Sequence, residues 1–118
     1  MYGGRLFDLQ LVKATFADIE VKQNAAALLV ARAAWECDRG ERRYPKHSSI
    51  AKLYATEAAQ EVVDASVQLF GAAGLVSESV PERLYRQVRS LRVYEGASEV
   101  QKLIIAGALD LRRANGQV

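Results

Sequence analysis

From about Leu6 to Arg39 the chain carries neither Pro nor Gly. Leu9, Val12, Phe16, Ile19, Ala26, Leu29, Val30, Ala33 and Cys37 recur there in three- and four-residue steps. That spacing draws one apolar stripe along an α-helix. The helix is predicted to stop where Gly40 can take a left-handed conformation, with Trp35 packed near that end. Tyr44-Pro45 interrupts the pattern, and Ser48 or Ser49 is expected to cap a second helix. Its inward positions are Ile50, Leu53, Tyr54, Ala58, Val62, Ala65 and Leu69, and it stops near Phe70-Gly71. Gly71 to Val80 has the composition of a loop. Pro81 suits the first turn of a third helix reaching about Leu91, with Leu84 and Val88 as its stripe. A last helix runs from Ser98 to about Arg113 with Leu103, Ile104 and Leu111 apolar, and the tail Ala114–Val118 is expected to fray. No segment follows a strand period better than the helical one. Four helices with short connections imply an all-α fold, an antiparallel four-helix bundle.

At 118 residues the chain fits one domain with one core. Half of it is hydrophobic and a quarter charged, an ordinary globular balance. A net charge of +2 gives no reason to expect nucleic acid or an anionic membrane as partner. The basic groups Arg39, Arg42, Arg43 and Arg112, Arg113 fall at helix ends, where cations complement the dipole. Cys37 is the single cysteine, so no internal disulfide forms, and a reducing cytoplasm is the expected compartment. The longest apolar run, Ala25 to Ala31, is far too short to span a bilayer. His47, the one histidine, reads as solvated in a polar loop, and one His with one Cys makes no metal site.

The stretch with chemical promise is Val93-Tyr94-Glu95-Gly96-Ala97-Ser98-Glu99-Val100-Gln101. Ser98 and Gln101 read as a capping box: the hydroxyl accepts the Gln101 N–H and the Gln101 side chain returns to the cap. Glu95 then sits on a tight turn, clamped behind by a capped helix and ahead by Val93 and Tyr94. Gly96 lets other groups approach the backbone closely. A carboxylate held this way suits a general base, although a solvated Glu in a helix-entry turn has the same pattern.

The stretch resembles the Tyr-Glu-Gly-Thr-Ser-Glu-Ile-Gln signature of the C-terminal domain of acyl-CoA dehydrogenases. Other blocks, in order, are similar too: Tyr2-Gly3 with Leu6 and Gln10, Ala17-Asp18, Ala51-Lys52-Leu53-Tyr54-Ala55 with Glu57, Gln68 with Gly71, Ala72 and Gly74, and Glu82-Arg83 with Tyr85-Arg86. The likeness runs from Tyr2 to about Leu109. It implies a single helical domain over residues 1–118, without the family's N-terminal and middle domains. It also implies an FAD-dependent α,β-dehydrogenation of an acyl-CoA thioester with Glu95 as the base, in the short- and medium-chain arrangement. Gly96 would contact substrate, and the Glu95 N–H would help hold the thioester oxygen. Ala97, Ser98 and Glu99 match positions near the flavin nucleotide, where a helix N-terminus favours phosphate. Gln10 and the run Gln68, Leu69, Phe70, Gly71 and Ala72 match contacts to the flavin of a neighbouring subunit. Helix termination alone accounts for Gly71, whereas Gln68 needs a polar partner. The implied partners are an acyl-CoA substrate, an electron-transferring flavoprotein as acceptor, and further copies in a homodimer or homotetramer.

The chain departs from the family at several points. Ala97 stands for Thr, Ala72 for the second Gly of the Gln-x-x-Gly-Gly run, and Gln87 for an Asp after Arg86. A family Arg that contacts pyrophosphate would fall just before Met1. Without the β-domain that covers the flavin ring in the family, the isolated chain is expected to bind FAD weakly and turn over nothing. A helical assembly module without chemistry is the alternative reading.

Overall fold

A computed structural model of the chain describes residues 3–40 and 44–114. Tyr2, Arg42, Arg43 and the tail beyond Ala114 lie outside them, as do the side chains of Leu111, Arg112 and Arg113. A 3₁₀ turn at Leu6–Asp8 leads into α1 (Gln10–Asp38), followed by α2 (Tyr44–Phe70), α3 (Val80–Ser90) and α4 (Ser98–Ala114). The described residues contain no strand. Gly40 takes φ +67°, the left-handed stop predicted for α1.

Two helix boundaries differ from expectation. α2 starts at Tyr44, with Pro45 in its first turn, so Ser48 and Ser49 lie inside the helix rather than capping it. Proline has no N–H to lose there and its fixed φ suits the first turn. Part of the predicted loop at Gly71 to Val80 is a 3₁₀ turn, Gly71–Leu75, that carries α2 onward. Gly74 is buried within it, and a Cβ there would fall 2.8 Å from the Val67 carbonyl oxygen. Only glycine fits so close to backbone.

α2 is the axis of the fold. It packs against α1, α3 and α4, whereas α1 meets no helix except α2 and α3 does not touch α4. The molecule measures 62 × 28 × 24 Å with a radius of gyration of 18.2 Å. A compact domain of this length would have about 13–14 Å. Among the described residues Ala51, Ala58 and Val63 are the buried hydrophobic ones, and no large side chain is fully enclosed. Several positions of the predicted stripes consequently face outward: Leu9 just before α1, Phe16, Val30 and Cys37 on α1, Leu84 on α3, Leu103 and Ile104 on α4. The stripes are wide enough for several neighbours, and each helix other than α2 has essentially one. Trp35 is likewise exposed, with the Arg39 guanidinium 4.6 Å from its ring centroid.

His47 is not solvated. It lies on the early part of α2, only 8% exposed, against Glu36 of α1, which is equally buried. Its Nδ1 stands 2.9 Å from Glu36 Oε2, close but short of hydrogen-bond alignment. Its Nε2 lies 3.1 Å from Arg32 Nη2. Arginine only donates, so Nε2 is the acceptor and the ring hydrogen faces Glu36. A polar link between the two long helices thus replaces the apolar end contact expected there.

Candidate functional site

α3 unwinds over its last turn: Val93 and Tyr94 both donate their N–H groups to the Ser90 carbonyl, at 2.9 and 3.2 Å. The chain then reverses through two consecutive left-handed residues, Glu95 at φ +53° and Gly96 at φ +87°. This is the sign pattern of the two central residues of a type I′ turn. Glycine adopts it freely; a glutamate there is uncommon. The Ser98 N–H closes the bend on the Arg92 carbonyl at 3.2 Å.

Ser98 and Gln101 do not form the predicted capping box. Ser98 is the first residue of α4, and the Gln101 N–H donates to the Ala97 carbonyl at 3.0 Å. The Ser98 hydroxyl is buried and donates instead to Glu57 Oε1 at 2.6 Å. The Gln101 side chain does turn back, but as a donor, to the carbonyls of Gly96 at 3.1 Å and Glu95 at 3.5 Å. A nearby ionised acceptor on α2 outcompetes a neutral N–H for the serine.

The clamp on the bend therefore comes from α2. Lys52 Nζ donates to the Gly96 carbonyl at 2.6 Å. Glu57 receives Arg92 in a two-pronged pair, Nε to Oε1 at 2.9 Å and Nη2 to Oε2 at 2.8 Å. The Ser98 hydroxyl bond, and then Arg92, hold the Glu57 carboxyl below the ordinary carboxylate range against the opposing effect of burial. Neither Lys52 nor Glu57 nor Arg92 was singled out for a role from the sequence. The signal was present in the Ala51-to-Glu57 block, where two charged residues interrupt an apolar helix surface.

With the backbone so held, the Glu95 side chain is exposed and makes no ion pair or hydrogen bond among the described residues. The N–H groups of Glu95, Gly96 and Ala97 likewise meet no acceptor among them. The bend thus presents an unengaged carboxylate beside three open donors. A substituent at Gly96 would run into Gln101 Nε2.

The sequence-predicted flavin positions fall into two groups. Ala97, Ser98 and Glu99 stand with Glu95 at the start of α4. Of the second group, Leu69 and Phe70 line an apolar cavity of about 320 Å³ between the start of α1 and the end of α2, whereas Gln10, Gln68, Gly71 and Ala72 are exposed outside its lining, so Gln68 does not need the buried polar partner expected for it. Leu6, Phe7, Phe16, Ile19, Leu69 and Phe70 line it, and the Phe7 and Phe16 rings meet edge to face at 5.3 Å. Glu57 and Gln68 are eleven residues apart on α2, roughly 16 Å at a helical rise of 1.5 Å, so one α2 does not bring the groups together. The open N–H groups of Ala97, Glu99 and Val100 at the helix start fit an anionic group such as a nucleotide phosphate. The Ser98 side chain, turned inward to Glu57, offers it nothing, and Ala97 has no hydroxyl to give. Among the described residues no His, Cys, Asp and Glu cluster suits a metal, and no helix is long and apolar enough to cross a membrane.

Residues 1–109 match the family described as acyl-CoA dehydrogenase, C-terminal domain. The chain is 39% identical over 108 residues to the caffeyl-CoA reductase–Etf complex subunit CarC of Acetobacterium woodii, covering 92% of this chain and 28% of that protein. It is 40% identical over 108 residues to the mitochondrial short-chain specific acyl-CoA dehydrogenase of Rattus norvegicus, covering 92% and 26%. The solved structure of butyryl-CoA dehydrogenase from Megasphaera elsdenii superposes with a TM-score of 0.88 at 32% identity, over 92% of this chain and 28% of that one. The chain thus spans about a quarter of the length of these relatives.

Proposed function

This chain belongs to the acyl-CoA dehydrogenase family through its C-terminal helical domain, and on that premise we propose that Glu95 is the base of an acyl-CoA dehydrogenation carried out by a complete FAD-dependent enzyme. The observation that carries this reading is the unengaged Glu95 carboxylate on a bend whose backbone is fixed from α2. In the reaction the carboxylate takes the proton from the carbon next to the thioester carbonyl and becomes a carboxylic acid. Negative charge then builds on the thioester oxygen, and the Glu95 N–H, which has no acceptor among the described residues, would donate to it. FAD, when bound, supplies the acceptor for the hydrogen and electron pair leaving the next carbon. Gly96 would contact the substrate through its backbone, since the space a side chain would fill there is taken by Gln101. The N–H groups of Ala97, Glu99 and Val100 would hold an anionic part of the cofactor, and Gln10 with Gln68 to Ala72 that of a neighbouring subunit.

The same residue serves the reverse direction, returning its proton to the α-carbon, which bears on relatives named as reductases. An electron-transferring flavoprotein is the proposed redox partner, in line with the Etf complex named for that relative. The cytoplasm is the proposed compartment. Glu95→Gln in the complete flavoenzyme tests the base: turnover should fall about 10²–10⁴-fold with FAD retained. An unaffected rate would overturn the assignment. The chain alone should show neither flavin absorbance nor acyl-CoA-dependent dye reduction, and robust turnover would refute that expectation.

A second reading, a helical assembly module without chemistry, draws on the exposed apolar stripes and the small core. Both readings expect association with further copies, as homodimer or homotetramer. The Glu95→Gln result separates them.

A further inference from the structure

Lys52 is half-buried on α2, with Ala55 one turn on along the same face. A lysine kept from water needs a partner, and the partner here is a lone backbone carbonyl, Gly96, at 2.6 Å. No carboxylate pairs with Lys52 among the described residues. An ammonium held on a neutral carbonyl fixes the plane of that one peptide. The peptide joins Gly96 to Ala97, directly after Glu95, and its orientation decides how the chain leaves the bend. Glu57 pins the flanks, Arg92 three residues before Glu95 and Ser98 three after. Glu95 is thereby confined in a left-handed conformation that glutamate rarely keeps unaided.

We infer that Lys52 is a positioning residue for Glu95: its bond to the Gly96 carbonyl keeps the bend in the conformation from which the carboxylate can reach the substrate carbon. The inference rests on the reading of Glu95 as base. It assigns a role to the Ala-Lys-Leu-Tyr-Ala block that the family likeness leaves without one. Relaxation of Glu95 to a right-handed or extended φ would turn its side chain toward a different face, and a displacement of about 1 Å at a reacting group costs about a hundredfold in rate.

The test uses Lys52→Met, which keeps the apolar stem and removes the donor, beside Lys52→Arg, which keeps a donor. In isotope-labelled chain, the Glu95 backbone coupling constant and the Ala97 amide shift should change in Lys52→Met while helical circular dichroism stays constant. In the complete flavoenzyme, kcat should fall about ten- to a hundredfold, with KM and bound flavin unchanged and a larger isotope effect on α-deuterated substrate. Lys52→Arg should recover part of the rate. A wild-type coupling constant, or a wild-type kcat, in Lys52→Met overturns the inference. Glu95→Gln run in parallel keeps the two ideas apart. If Glu95→Gln stays active, the base reading fails. If it is dead while Lys52→Met runs at full rate, only the positioning role fails.

Discussion

Glu57 is the residue at which the stability of the site can be measured most directly. Glu57→Ala removes the acceptor of a buried hydroxyl and the partner of a half-buried guanidinium together. A buried polar group left without its hydrogen bond costs about 1–3 kcal/mol. The Arg92 pair adds less, because both side chains are about a third exposed, 32% and 33%, and an ion pair so hydrated is worth at most about 1 kcal/mol. Glu57→Ala should therefore lose about 1–4 kcal/mol. Glu57→Gln keeps an acceptor for Ser98 and forfeits only charge, so it should lose about 1 kcal/mol. Urea unfolding followed by far-UV circular dichroism measures both.

The pH dependence follows from the direction of the shift. The folded Glu57 carboxyl titrates below its ordinary value of 4.5. Its contribution is complete above that value and disappears as pH falls through the folded one. The stability gap between wild type and Glu57→Gln should accordingly close on acidification below about pH 4.5. Asp8, whose carboxyl is also held low by Arg5, is common to both proteins and cancels. A Glu57→Ala protein as stable as wild type, or a gap that persists at pH 2, would refute this account of the clamp.

Gly96→Ala should destabilise the chain by about 1–3 kcal/mol in thermal unfolding, since a Cβ at φ +87° both strains the backbone and displaces the Gln101 side chain. His47→Ala takes from the buried Glu36 carboxylate its close neighbour on α2, so it should cost about 1–3 kcal/mol, and a double-mutant cycle with Glu36→Gln should recover part of the loss. The exposed apolar stripes should make the melting temperature of the purified chain rise with protein concentration, measured by calorimetry alongside sedimentation.

Helix existence and order were legible in the sequence because the apolar period is long and uninterrupted through α1 and α2. Gly40 and the Phe70-Gly71 stop were legible for the same reason that only certain residues take positive φ. The start of α2 was not, because proline in a first turn looks from sequence like a break before the helix. His47 was misread as solvated and Glu36 was passed over because each is polar in its own segment, and the pairing that buries them exists only once α1 and α2 lie side by side. The bend at Glu95 was found from its local residues, and its clamp was mistaken for a local one. Ser98 and Gln101 have the spacing of a cap, yet the nearest strong acceptor for the serine is forty-one residues away on α2. Local patterns describe what a segment could do alone; tertiary neighbours decide which option is taken.

The left-handed φ of Glu95 has a bearing on how such a chain would change over generations. At φ +53° glycine would relieve about 1 kcal/mol that a side chain imposes. Mutation unopposed by any demand for an acid at this point would drift toward glycine, and each step would leave a sturdier protein. Position 95 thus sets folding stability against acidity: the proposed base would offset that conformational cost, and a bare scaffold would not.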